Sequence, residues 1–144
     1  AILLWGVFSR DTRTENSNQY EYSMVSIANA SVSVEIPLTR AGFLKGLGER
    51  DSLPEDAGML FLCLSDQYPA FWMKGMRFPI DIIWIDEHFT VSGITRKVLP
   101  ESFPETVTPG RPAAHVLEVN AGFAEKHNIS AGDSVYGLGG SSCE

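Results

Sequence analysis

The stretch Ile80-Asp81-Ile82-Ile83-Trp84-Ile85-Asp86-Glu87-His88-Phe89-Thr90-Val91-Ser92-Gly93-Ile94-Thr95-Arg96-Lys97 is rich in β-branched and aromatic residues on both sides of a short polar break. That pattern predicts two strands, 80–86 and 89–97, joined at Asp86-Glu87-His88. Toward the N-terminus, Phe71-Trp72-Met73 reads as a short strand before the turn Lys74-Gly75-Met76, and the apolar run 57–64 as a buried central strand. Further back, residues 20–36 alternate with period two around Ala28-Asn29, which predicts a hairpin with one wet face. Thr39 is placed to cap a short helix running to Leu47, where Gly46 and Gly48 unwind it. Toward the C-terminus, residues 98–112 hold Pro100, Pro104, Pro109 and Pro112 and are expected to be irregular. A strand at 113–119, a helix at 121–127 capped by Asn120 and ended by Asn128, and a last strand at 134–138 complete the plan. Seven or eight short strands and two short helices predict a mainly β (α+β) fold. The expected form is a small β-barrel-like or strongly bent antiparallel sheet, its ends plugged by the helices.

The 144 residues fit one domain, read as residues 20–138, with a Gly/Ser tail at 139–144. Residues 1–19 divide into an apolar start, Ala1 to Phe8, and a polar stretch without an apolar face. Eight residues are too few to span a bilayer. They read as the stub of a signal peptide or membrane anchor followed by a tether, which places the domain outside the cytoplasm or on a membrane. The alternative is an edge strand or short helix packed on the domain. A net charge of −7 and scattered basic residues exclude non-specific nucleic-acid binding and a polybasic membrane patch. Cys63, inside an apolar run, reads as a small core residue, and Cys143 lies in the tail. A disulfide between them is open, because spacing alone does not decide pairing.

The chain has no P-loop, no G-x-S-x-G elbow and no H-E-x-x-H. His88, His115 and His127 are far apart in sequence, so no metal site and no cofactor are expected. The informative residues are acids set into apolar strands. Asp81 shares a strand face with Ile83 and Ile85, and Glu118 is flanked by Leu117 and Val119. A buried carboxylate without partners costs several kcal/mol, about as much as a core substitution. Each therefore calls for a partner, from Arg50, Lys74, Arg77 or the backbone amides near Asn120, or for a proton. One reading has these contacts pin the loops that close the barrel. The other has Arg50, Trp72, Lys74, Asp81, Glu118 and Asn120 line a ligand pocket, with Trp72 as an aromatic lid on the same strand face as Lys74. Within that pocket, Asp81 and Glu118 are candidates for an acid–base pair of the glycosidase type.

Four segments carry a resemblance to a known family. Gly46-Leu47-Gly48-Glu49-Arg50 is similar to its Gly-Leu-Met-x-Arg, and Gly58-Met59-Leu60-Phe61 to its Gly-Met-Leu-Phe. Phe71-Trp72-Met73-Lys74 with Pro79-Ile80-Asp81-Ile82 is similar to its Trp-Met-Lys-Asn-Thr…Pro-Leu-Asp, and Val116 to Gly122 to its Leu-Glu-x-x-x-Gly. Between about Val32 and Val135 the chain thus resembles the bacterial and archaeal domain of unknown function 192. Gly48 stands in place of the family's Met, and Gly75-Met76 in place of its frequent Asn-Thr, so any pocket they shape is altered here. The resemblance implies a compact β-barrel-like domain, often exported, and brings no established activity with it. The expectation is a non-enzymatic accessory domain at the cell envelope that binds an unidentified small molecule or an envelope protein. The alternatives are an acid–base enzyme and a purely structural domain.

Overall fold

The computed structural model describes residues 19–138, the backbone of residues 2–3, and Cys143. Its strands are β1 (Ile2–Leu3), β2 (Tyr20–Ile27), β3 (Ala30–Pro37), β4 (Ala57–Phe61), β5 (Ala70–Trp72), β6 (Ile80–Ile85), β7 (Val91–Val98), β8 (Thr106–Val107), β9 (His115–Asn120) and β10 (Val135–Tyr136). Two short helices, α1 (Arg40–Lys45) and α2 (Phe123–Lys126), and a 3-10 turn at Pro100–Ser102 join them. The long central strands contain the period-two and β-branched runs, while β5, β8 and β10 are fragments cut short by proline and glycine.

Seven strands form one strongly curled sheet in the order β10-β2-β3-β4-β9-β6-β7, and β1-β5-β8 form a small second sheet. The curl is that of a half-barrel. Its two edges meet where Thr90 bridges Ser134 and the Val135 amide donates to the Phe89 carbonyl at 2.8 Å. One pairing departs from the antiparallel plan: β3 and β4 run parallel, because helix α1 and its loop carry the chain back to the starting end. Gly58 in β4 is required by that close packing, since a Cβ there would sit 2.7 Å from the Glu118 carbonyl oxygen.

The central strands β4, β9 and β6 are buried on both faces, while the β2–β3 hairpin keeps one face wet. Val25, Ile27, Val32, Val34, Ile83, Ile85, Leu117 and Val119 fill one side with Phe123 and Ala124 of α2. Met59, Phe61, Phe71, Ile80, Ile82, Trp84 and Val116 fill the other with Leu47. Each such side chain, fully buried, contributes about 1.5–3 kcal/mol. Strand β6 is buried at every position, so its odd residues, including Asp81, enter the first core and its even residues the second.

Three local expectations change. The central strand stops at Phe61, and Cys63 lies beyond it, exposed and with a left-handed φ of 57°, instead of packing in the core. Residues 98–112 are not wholly irregular, since Thr106–Val107 pairs with β5. Helix α2 begins at Phe123, and Asn120 is the last residue of β9 instead of its cap. The backbone of Ile2–Leu3 pairs with β5. Residues 4–18, which hold most of the apolar start and nearly all of the expected tether, and most of the 139–144 tail lie outside the described residues.

Candidate functional site

Asp81 is fully buried, and its carboxylate is satisfied by backbone alone. Oδ1 accepts from the Lys97 amide at 2.9 Å, and Oδ2 accepts from the Gly122 and Ala124 amides at 3.1 and 3.0 Å. The geometry explains the residue. The β6–β7 register shifts between Ile80 and Ile82, and the irregularity leaves the Lys97 amide to be met by a side chain. The same carboxylate does from across the sheet what a side-chain cap at the start of α2 would do.

Glu118 is equally buried but faces the other way. Asp81 pairs with Val119, whereas Glu118 pairs with Ile82 and Met59. Paired residues share a sheet face and sequence neighbours do not. The two carboxylates therefore project from opposite faces and do not flank one substrate, which removes the acid–base pair expected of them. Burial pushes the Glu118 carboxyl up from its usual 4.5.

The other predicted binding residues are also divided. Arg50 forms an ion pair with Glu35 and lies 5.9 Å from the Tyr20 ring centre. Lys74 sits 5.4 Å from the centre of the Trp72 ring, which packs on Phe103 at 5.2 Å. Trp72 is half-buried at a rim, as its charged strand face implies, while Phe71 and Met73 on the opposite face are core. The Asn120 amide donates to the carbonyls of Leu53 and Pro54 at 2.9 and 3.2 Å, holding the 50–56 loop against the sheet end. Arg50, Asp81 and Asn120 are each engaged in keeping the fold closed.

A site the sequence reading misses lies at the opposite end of β6 and β9. An open cleft of about 1530 Å³ is lined by Gln67, Asp86, His88, Phe89, Arg111 and Ala113, among others, and by both cysteines. Cys63 and Cys143 form a disulfide on its wall, with sulfurs on exposed residues. His115 is fully buried beside it. Its Nδ1 accepts from the Cys63 amide at 3.0 Å, and its ring stacks on Phe89 at 4.5 Å with planes 7° apart. That hydrogen bond puts the proton on Nε2, which has no partner among the described residues. Burial lowers the His115 pKa from 6.5, so the ring is neutral at neutral pH. Two residues touching this ring, Cys63 and Phe89, both have φ of 57°, a conformation costing an ordinary side chain about 1–2 kcal/mol.

The sequence reading places no metal ligands together. The fold brings Cys63, His115 and Cys143 within 4.8 Å of one another. These positions are 52 and 80 residues from Cys63 along the chain, beyond the reach of any spacing motif. The one signal available was parity, since His115 shares its strand face with Leu117 and Val119 and so had to be buried.

Among curated proteins none matches the chain. Two solved structures are similar. A protein of Sinorhizobium meliloti 1021, named provisionally as a transcription regulator, superimposes with a TM-score of 0.78 at 28% identity over 86% of this chain and 99% of its own. A protein of unknown function from Novosphingobium aromaticivorans DSM 12444 gives 0.74 at 28% identity over 80% and 84%. The sequence match to DUF192, described as "Uncharacterized ACR, COG1430", runs through residues 23–137, from the first long strand to the last short one. With the four motifs falling on the loop after α1, on β4, on β5–β6 and on β9, this chain belongs to the DUF192 family.

Proposed function

We propose that this chain is a non-catalytic binding domain of the cell envelope that takes a small anionic molecule in the cleft between the β6–β7 turn and residues 111–114. The cleft carries this reading. It is concave, lined by apolar and polar groups together, and of a size to hold an organic ligand. Arg111 on its wall makes no ion pair among the described residues, whereas Asp86 accepts from the His88 and Thr90 amides. An unengaged guanidinium in a concave site suits a carboxylate-bearing ligand. The exposed Cys63–Cys143 disulfide supports a location outside the cytoplasm, where such bonds persist. No helix of the described residues is long and apolar enough to cross a membrane.

The transcription label of the Sinorhizobium protein is not carried over, because a chain of net charge −7 lacks the basic excess that phosphate binding draws on. The purely structural reading is favoured by Asp81 and Asn120, both spent on backbone groups, and it applies to that end of the molecule.

A thermal-shift screen of small organic acids tests the proposal. At least one acid is expected to raise the melting temperature in proportion to its concentration, as selective binding to the folded state requires. Arg111→Ala, at an exposed position, is expected to remove the shift and keep the melting temperature of the free protein. A panel without a hit, or a hit unaffected by Arg111→Ala, overturns the reading.

A further inference from the structure

The cleft wall holds a donor set that an anionic ligand does not use. Two sulfurs and an imidazole nitrogen lie within 4.8 Å of one another, a spread that one ion can bridge with small side-chain movements. The two cysteines are exposed, while the imidazole is held by the Cys63 amide at Nδ1 and by the Phe89 ring stacked on its face. The protonated, unpartnered Nε2 leaves Nδ1 as the nitrogen with a lone pair, and that lone pair lies on the Cys63 side. A staple for the C-terminal tail needs the two cysteines alone and gives no reason for a buried imidazole between the sheet and the sulfurs.

We propose that the Cys63–His115–Cys143 corner is a redox-gated site for one thiophilic d10 cation, Cu(I) or Zn(II), closed as the disulfide and opened by reduction. An external dithiol reductant supplies the two electrons and two protons. Its thiolate attacks one sulfur to give a mixed disulfide, its second thiol resolves that bond, and Cys63 and Cys143 are released as thiols while the reductant becomes a disulfide. The cation then displaces both thiol protons and takes two thiolates and Nδ1, with the Cys63 amide giving up its acceptor. Two thiolates and one imidazole satisfy three-coordinate Cu(I), while Zn(II) adds a water from the cleft to complete a tetrahedron. The bound ion takes over the disulfide's role of holding Cys143 beside Cys63. This site stands apart from the anion reading, since it uses none of Arg111, His88 or Asp86.

The full chain, oxidised or reduced with a phosphine and desalted without oxygen, is titrated with Zn(II) against a chromophoric chelator and with Cu(I) against bicinchoninate. The reduced chain is expected to withdraw one equivalent of one of these ions, and the oxidised chain none. The two arms decide which ion it is. Cys143→Ser, in the tail and outside both cores, is expected to weaken binding at least roughly tenfold and His115→Ala likewise. If the reduced chain competes for neither ion, if the oxidised chain binds equally, or if Cys143→Ser binds as tightly as the parent, the cysteines are a staple and the site is refuted.

Discussion

Two polar side chains bound the same face of the β6–β9 ladder, one at each end. Asp81 stands opposite Val119, and His115 stands opposite Ile85, with Ile83 and Leu117 between them. Both are fully buried. At the Asp81 end three backbone amides saturate the carboxylate, and α2 and the β7 bulge are tied to the sheet. At the His115 end one nitrogen is used and the other is left over, beside strained backbone, an exposed disulfide and a cleft. Burial alone therefore does not mark a site in this molecule. The useful quantity is the balance of donors and acceptors around the buried group: a closed balance holds the fold, and an open one leaves chemistry unspent.

The largest expected effect breaks the closed end. Asp81→Asn replaces a carboxylate oxygen by an amide that points its own N–H groups at a backbone donor. It also weakens the remaining hydrogen bonds from charge-assisted to neutral. Since hydrogen bonds to charged groups are worth about 1.5–3 kcal/mol each, a loss of about 3 kcal/mol is expected in urea unfolding at pH 7. A midpoint equal to the parent's would mean that the three amides find other acceptors and that the closed balance is not what holds this end.

The sequence showed the Asp81 end well and the His115 end poorly, for a physical reason. An acid inside Ile80-Asp81-Ile82-Ile83 conflicts with its neighbours, so burial and the need for partners follow from alternation alone, and the backbone amides near Asn120 were among the partners it called for. The curled sheet with two helices was legible in the same way, from strand periodicity and glycine–proline punctuation. What alternation does not carry is which strands of the sheet lie side by side and in what order. Parity assigns Asp81 and Glu118 each to a face of its own strand, but only the β6–β9 register shows that these are opposite faces of one sheet. For the same reason Cys63, His115 and Cys143, each unremarkable in its own segment, give no sign of meeting. Cys63 reads as core in the sequence because an apolar run says where burial is possible and not where a strand stops.

Glu118 sharpens the comparison from the second core. Burial raises its pKa above the usual 4.5, so the folded protein binds more protons than the unfolded chain once the pH exceeds that value. The stabilising contribution is complete below about pH 4.5 and is lost as the pH rises through the folded value. Glu118→Gln, a neutral mimic of the protonated acid, is expected to match the parent at low pH, to lack this decline, and to be the more stable protein at neutral pH. Parallel stability–pH curves for the two chains would show that Glu118 ionises in the fold without penalty.

The smallest effect is expected at the open end, and its smallness is the point. His115→Phe keeps the stack on Phe89 and removes a buried nitrogen that has no partner, so a polar cost disappears along with one hydrogen bond. The Cys63 amide that loses Nδ1 belongs to an exposed residue, where water can replace the acceptor. The change at pH 7 is then expected to be about 1 kcal/mol or less, since losing a hydrogen bond is nearly neutral when no buried partner is stranded. Acid separates the variant from the parent. With a pKa lowered from 6.5, His115 gives stability that is present above about pH 6.5 and is lost as the pH falls through the folded value, because the unfolded chain takes up the proton first. That part of the acid sensitivity is expected to vanish in His115→Phe, as read from unfolding midpoints between pH 7 and pH 5. A loss at pH 7 as large as that of Asp81→Asn would make the imidazole a structural keystone like the carboxylate, and the contrast between the two ends of the ladder would collapse.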